Sequence, residues 1–253
     1  MSTSLDRLLP PIDLHAHVDP TVTQGQLRTL QPALVFAVTR TLAESTAVST
    51  RSDVGVVWGC GVHPGLAQEL EAFDRYRFES LVASFLFVGE IGLDRKVEEQ
   101  EGRRVLESIV SALEGCSVIT SVHSTGMIPA VLEVIADGLR APVLHWFNGT
   151  AKQIERAVAI GAYFSVNAAM SDDRLARIPV DRALPETDFP FTRRAGSTRP
   201  GDIGRLEERV GQLWGLDTEA VRRTWYRNLR TLCSQAGVLD RLPEEFLIPI
   251  LTA

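Results

Sequence analysis

Apolar residues along the chain gather into eight short runs, each separated from the next by a polar or amphipathic stretch. The runs are PIDLHAH (11–17), ALVFAVT (33–39), VGVVWGCGVH (54–63), SFLFVGEIG (84–92), SVITSVH (117–123), APVLHWF (141–147), AYFSVN (162–167) and RALPETD (182–188). Within most of them the apolar positions are nearly continuous instead of alternating, and β-branched or aromatic residues are frequent. That is the pattern of parallel strands covered on both faces. Between them, VEEQEGRRVLESIVSALEG and GMIPAVLEVIADGLR space their apolar residues as helices do, and the second stops before Ala141-Pro142. Strand and helix alternating eight times over 253 residues predict an α/β fold, a (β/α)8 TIM barrel, with 1–253 forming a single domain. The short segment between the second and third runs and the β-poor eighth run fit least well. After the eighth run, FTRRAGSTRPGDIG predicts a loop, and RLEERVGQLWG and TEAVRRTWYRNLRTLCSQAG predict two closing helices.

Composition agrees with a globular chain: 45% hydrophobic and 23% charged residues leave ample material for a core. No apolar run approaches the roughly 18–20 residues that span a bilayer, and the first ten residues lack a basic start followed by an apolar stretch. No membrane partner is expected, and the expected location is cytoplasmic. Cys60, Cys116 and Cys233 are far apart and odd in number, so they provide neither a disulfide framework nor a CxxC clip. The net charge of −6 would not draw a polyanion to the whole surface; a nucleic-acid partner would need metal ions or a local arginine patch. Lys96 and Lys152 are the only lysines and arginine supplies the remaining basic residues, a bias compatible with bidentate phosphate contacts.

The candidate chemistry lies at the ends of the runs. All five histidines, His15, His17, His63, His123 and His145, fall at or just after the C-terminal end of a predicted strand, as do Glu90 and Asp188. In a (β/α)8 barrel those ends converge on one rim, where active sites are built. Alternate residues on a strand share a face, so His15 and His17 can serve one ion. Strands one and eight are neighbours in a closed barrel, which adds Asp188 as a third ligand. Glu90 is placed to bridge to a second ion held with His123 and His145. Two divalent ions can acidify a shared water and neutralise charge building up on a phosphorus centre, chemistry that also serves some amides and lactones. His63, in GVHPG, is expected to donate a hydrogen bond to a phosphate oxygen. Asp94 is expected to cap the following helix, with orientation of a neighbouring ligand as the alternative. Arg193, Arg194 and Arg199 lie in the loop after Asp188, which reads first as an exposed polar loop and second as a phosphate-binding loop over the site. Neither a Walker loop nor a GxSxG elbow is present.

Read in order, DLHAHVD, GVHPG, GEIGLD, VHSTG, LHWFNG and LPETDFPF resemble the signature set of the TatD family of metal-dependent deoxyribonucleases, a branch of the amidohydrolase-type barrels. The resemblance runs from about residue 12 to residue 233 and includes TWYRNLRTL. It implies a metallo-dependent hydrolase barrel that removes nucleotides from DNA, typically 3′ to 5′ on single strands, with magnesium or another divalent ion. Position by position it implies His15, His17 and Asp188 at one ion, Glu90 bridging, His123 and His145 at the other, and His63 beside the scissile phosphate. The chain departs from the pattern at Ser124-Thr125, where members usually read Ser-Arg, and in a shorter segment after EIGLD. Divergent relatives also occur in bacterial anti-phage gene clusters, so protein partners in an antiviral assembly are one possibility.

The leading expectation is therefore a deoxyribonuclease in which Glu90, Asp188 and His63 are catalytic, Asp188 being both ligand and general base. His63, Arg193 and Arg194 would contact substrate. The mixed histidine and carboxylate ligands accept magnesium, manganese or zinc. Two alternatives stay open: hydrolysis of a small amide, lactone or phosphoester at the same site, and a metal-bound subunit whose main role is assembly.

Overall fold

The computed structural model describes residues 9–253; residues 1–8 of the expected 1–253 unit lie outside the described residues. Eight strands form in chain order: β1 (Ile12–His17), β2 (Leu34–Val38), β3 (Val56–Trp58), β4 (Phe87–Gly92), β5 (Ile119–His123), β6 (Val143–His145), β7 (Tyr163–Val166) and β8 (Ala183–Pro185). All ladders between consecutive strands are parallel, β1-β2-β3 in one set and β4 through β8 in the other. Two seams close the barrel. At one, Cys60 N donates to Phe87 O and Gly89 N to Cys60 O, joining the chain after β3 to β4. At the other, Asp188 N donates to His15 O and His17 N to Phe189 O, joining the chain after β8 to β1. The result is a (β/α)8 barrel.

Helices cover the outside because they carry apolar residues on one side only. In Glu99–Ala112 the buried positions include Val105, Leu106, Ile109 and Val110, and the intervening residues are polar. The segment between β2 and β3 does hold a helix, Leu42–Val48, with Thr41 accepting from Glu44 N at its start. The two closing helices form at Gly204–Trp214 and Thr218–Ala236. A further helix, Glu244–Thr252, was not expected; its Phe246 is fully buried beside Phe36, ring centroids 5.4 Å apart, and Phe36 in turn meets Phe87 at 5.3 Å. Among the described residues no helix is long and apolar enough to cross a membrane.

Every strand is shorter than its apolar run, and β3, β6 and β8 keep only three residues each. β3 was expected over 54–63 but keeps its ladder with β2 only through Val56–Trp58. Beyond it the end of β2 turns to β4 instead: Thr39 N donates to Gly89 O and Glu90 N to Thr39 O. Gly61 permits this crowding, since a Cβ there would stand 2.2 Å from Thr39 O and 2.4 Å from Glu90 N. β8 was expected over 182–188 but stops at Pro185. Beyond it the chain turns to β1, with Thr187 N donating to Asp13 Oδ1 and Asp188 N to His15 O, and Asp188 takes a left-handed φ of +45° that aspartate tolerates better than most residues.

Candidate metal centre

β1 brings His15 and His17 to the mouth. Their Nε2 atoms lie 3.7 and 3.5 Å from Glu90 Oε2, and 3.8 and 3.4 Å from Asp188 Oδ1. His15 is fully buried, and its Nδ1 sits 2.7 Å from the Ser121 hydroxyl. With Nδ1–H donated to Ser121, the Nε2 lone pair faces the two carboxylates. Burial and the adjacent His145 hold His15 well below the usual imidazole range, so it is neutral and able to ligate.

Glu90 divides its two oxygens between two groups of imidazoles. Oε2 faces His15, His17 and His63; Oε1 lies 2.5 Å from His123 Nδ1 and 3.1 Å from His145 Nε2. Burial would push the Glu90 carboxyl up, but its hydrogen bonds to His123 and His145 and their charges outweigh burial and hold it well below the usual range. His145 shows the reverse balance. Burial pulls it down, yet the Glu186 charge and the hydrogen bonds to Glu186 and Glu90 hold it well above 6.5. His123 is also raised, because hydrogen bonds to Asp94 and Glu90 overcome burial. The rings of His15 and His145 stack with centroids 3.9 Å apart and planes 9° from parallel, which disfavours a proton on both.

Three buried atoms facing this cluster, His15 Nε2, Glu90 Oε2 and Asp188 Oδ1, have no hydrogen-bond partner. Leaving such groups unpaired costs roughly 1–3 kcal/mol each. Four ligands about 2.0–2.2 Å from a tetrahedral ion stand about 3.4 Å from one another. The separations from His15 and His17 to Glu90 and Asp188 run from 3.4 to 3.8 Å, so this donor set fits a divalent ion. Overlapping groups that could hold an ion are His15, His17 and Glu90; His15, His145 and Asp188; and His63, Glu90 and His123.

His63 lies five residues beyond the end of β3, with Nε2 3.3 Å from Glu90 Oε2. Its Nδ1 accepts from Gly65 N at 2.9 Å, which places the proton of the neutral ring on Nε2, facing the cluster. Burial lowers its pKa and keeps that neutral form. Asp188 is raised, chiefly by burial.

Asp94 does not cap the next helix; Glu98 does, accepting from Glu101 N at 2.9 Å. Asp94 Oδ2 instead lies 2.9 Å from His123 Nε2, while Oδ1 accepts from Lys96 N at 2.8 Å. The capping expectation fails because Asp94 lies four positions before the true cap, Glu98. Glu186 was missed from the sequence. Its Oε2 lies 3.3 Å from His145 Nδ1 and accepts from Ser165 Oγ, and its Oε1 accepts from Asn167 Nδ2 at 2.8 Å. Its place two residues before Asp188 in LPETD was the available signal.

Arg193, Arg194 and Arg199 are exposed on the loop after β8. Arg193 stacks its guanidinium 4.7 Å from the centroid of Phe189, and Arg199 donates to Thr29 O. At Ser124-Thr125, the rim carries an arginine from the neighbouring loop: Arg95 runs along Gly126, where a Cβ would lie 2.8 Å from Arg95 Cδ.

A parallel barrel whose C-terminal rim gathers five histidines and buried carboxylates defines the class of metal-dependent barrel hydrolases. The chain belongs to the TatD-related DNase family, whose model matches residues 12–234, and is accordingly a metal-dependent hydrolase acting on ester bonds. It is 28% identical over 198 residues to the 3′-5′ ssDNA/RNA exonuclease TatD of Escherichia coli K12, covering 68% of this chain and 75% of that protein. It is 24% identical to the uncharacterized metal-dependent hydrolase YcfH of the same strain, covering 87% of this chain and 94% of that one. In fold it resembles the TatD homologue YJJV of Escherichia coli K12, with a TM-score of 0.73 at 20% identity over 89% of this chain and 98% of the other.

Proposed function

We propose that this protein is a divalent-metal-dependent deoxyribonuclease that removes nucleotides from the 3′ ends of single-stranded DNA, using two ions shared through Glu90. The observation that carries this reading is Glu90 itself, a buried carboxylate with one oxygen toward His15 and His17 and the other toward His123 and His145. His15, His17 and Asp188 would hold one ion, His123 and His145 the other. The chemistry such ions would supply when held by these residues is a lowered water pKa and neutralisation of phosphate charge. Asp188, its pKa raised by burial, accepts the proton of the attacking water. His63 donates its Nε2–H to a phosphate oxygen. Arg193 and Arg194 stand exposed on the loop after β8 and supply the local positive charge that a chain of net charge −6 needs to receive a polyanion. The activity named for the TatD exonuclease relative supports the choice of nucleic acid over small esters.

The test is release of mononucleotides from single-stranded oligonucleotides labelled at the 3′ or the 5′ end, with metal content measured by elemental analysis on the same sample. Glu90→Ala and Asp188→Asn should abolish divalent-dependent release while the far-UV spectrum stays native. Unchanged release in both variants, or turnover of a lactone and a small phosphoester but of no oligonucleotide, would refute the proposal.

A further inference from the structure

Phe191 stands out in the mouth because it is an aromatic residue 62% exposed within reach of the ligand cluster. Its ring meets that of His17 edge to face, with centroids 5.2 Å apart and planes at 84°. His17 is itself 3.4 Å from Asp188 and 3.5 Å from Glu90, so Phe191 lies one ring away from the carboxylates. A single exposed apolar residue is ordinary on a protein surface. This one is held in place. Phe191 N donates to Asp188 O at 2.8 Å, the next residue's Thr192 Oγ1 donates to Thr187 O, and Arg193 N donates to Pro190 O. The turn that sets Asp188 therefore also sets the position of Phe191, and both depend on the same backbone.

We propose that Phe191 is a stacking platform for the base of the terminal nucleotide whose phosphate lies at the ligand cluster, and that it thereby favours unpaired ends. The proposal rests on the nuclease reading above and names the residue that sets its preference for single strands. Aromatic side chains bind bases through their π-faces with little regard to sequence, and a base is free to stack on protein only after leaving its neighbours. A terminal base in a blunt duplex must first unpair; one in a single strand need not. Arg193, two residues beyond Phe191 and stacked on Phe189, supplies a cation on the same loop for the adjoining phosphate.

The experiment compares full-length protein with Phe191→Ala and Phe191→Trp. In stopped-flow mixing, an oligonucleotide ending in 2-aminopurine should be quenched by wild type and by Phe191→Trp before any nucleotide is released, but not by Phe191→Ala. In steady state, wild type should prefer a terminal nucleotide bearing a base over an abasic one by about tenfold, the scale of one base stacked on an aromatic ring. Phe191→Ala should bring that ratio close to one and narrow the preference for single strands over blunt duplexes. Absence of the quench in wild type, or an undiminished ratio in Phe191→Ala, overturns the platform. A quench without nucleotide release under any divalent ion would instead refute the nuclease reading and leave the platform standing. A melting temperature close to wild type is expected for Phe191→Ala, since the ring is mostly outside the core.

Discussion

At the scale of single residues, the centre is governed by which groups hold protons. Metal ligation needs neutral imidazoles and ionised carboxylates. His123 and His145 are raised above 6.5 by their carboxylate partners, so without metal they retain protons that an ion must displace. Metal uptake should therefore release protons and weaken as pH falls, which calorimetric titrations in buffers of different ionisation enthalpy will show. Their share of metal-free stability has the opposite trend: it is fully present below the ordinary value of 6.5 and disappears as pH rises through the raised values. Glu90, held low, contributes stability above its ordinary 4.5 that is lost as pH falls through the lowered value. The share of His123, His145 and Glu90 is accordingly largest in the mildly acidic interval between these limits, whereas His15 and His63, held low, give up stability there as pH falls below 6.5; thermal melts of metal-free protein against pH, compared with Glu186→Gln, will separate the two. Glu186→Gln keeps the volume beside His145 but removes the charge that fixes its orientation and basicity. Loss of such a partner typically costs about 10–100-fold in metal affinity or activity. That drop, read by metal titration with the fold intact, is expected here.

At the scale of elements, a few close approaches decide where the side chains stand. Glu90 is aimed by a place where the end of β2, the chain after β3, and β4 crowd together, with Gly61 at the crossing. Gly61→Ala would drive a methyl into backbone atoms that cannot rotate away. Overpacking of this kind costs roughly 1–3 kcal/mol. Urea unfolding should show that loss, and metal affinity should fall with it, because Glu90 N is one of the atoms struck. The apolar runs had marked all eight strands, since parallel strands buried on both faces must be almost wholly apolar. Their ends were less visible. The run from 54 to 63 stays apolar after leaving its ladder, because the chain is still buried between β2 and β4.

At the scale of the whole molecule, the barrel separates chemistry at one end from stability at the other. Phe246 anchors the last helix against Phe36, within a cluster that contains Phe87 and none of the candidate ligands. Truncating a buried phenylalanine to alanine costs roughly 3–5 kcal/mol. Phe246→Ala should lose about that much in urea unfolding while metal affinity per folded molecule stays at the wild-type value. The last helix escaped the sequence because EEFLIPILT is short, carries Pro249 inside it and gains most of its stability from where it docks. Hydrophobic patterning was enough for the barrel and for bringing His15, His17, Glu90, His123 and His145 to one rim, because strand period and parallel topology leave no other place for strand ends; His63 and Asp188 lie five and three residues beyond their strands and reach the same rim through the chain that follows. Tertiary structure alone decided which oxygen of Glu90 faces which imidazoles, that Asp94 serves His123 instead of capping a helix, that Glu186 lies behind His145, and that Phe191 stands beside His17. Those are contacts between strands far apart in sequence, set by register, a left-handed turn at Asp188 and the absence of a side chain at Gly61, and no pattern along one strand encodes them.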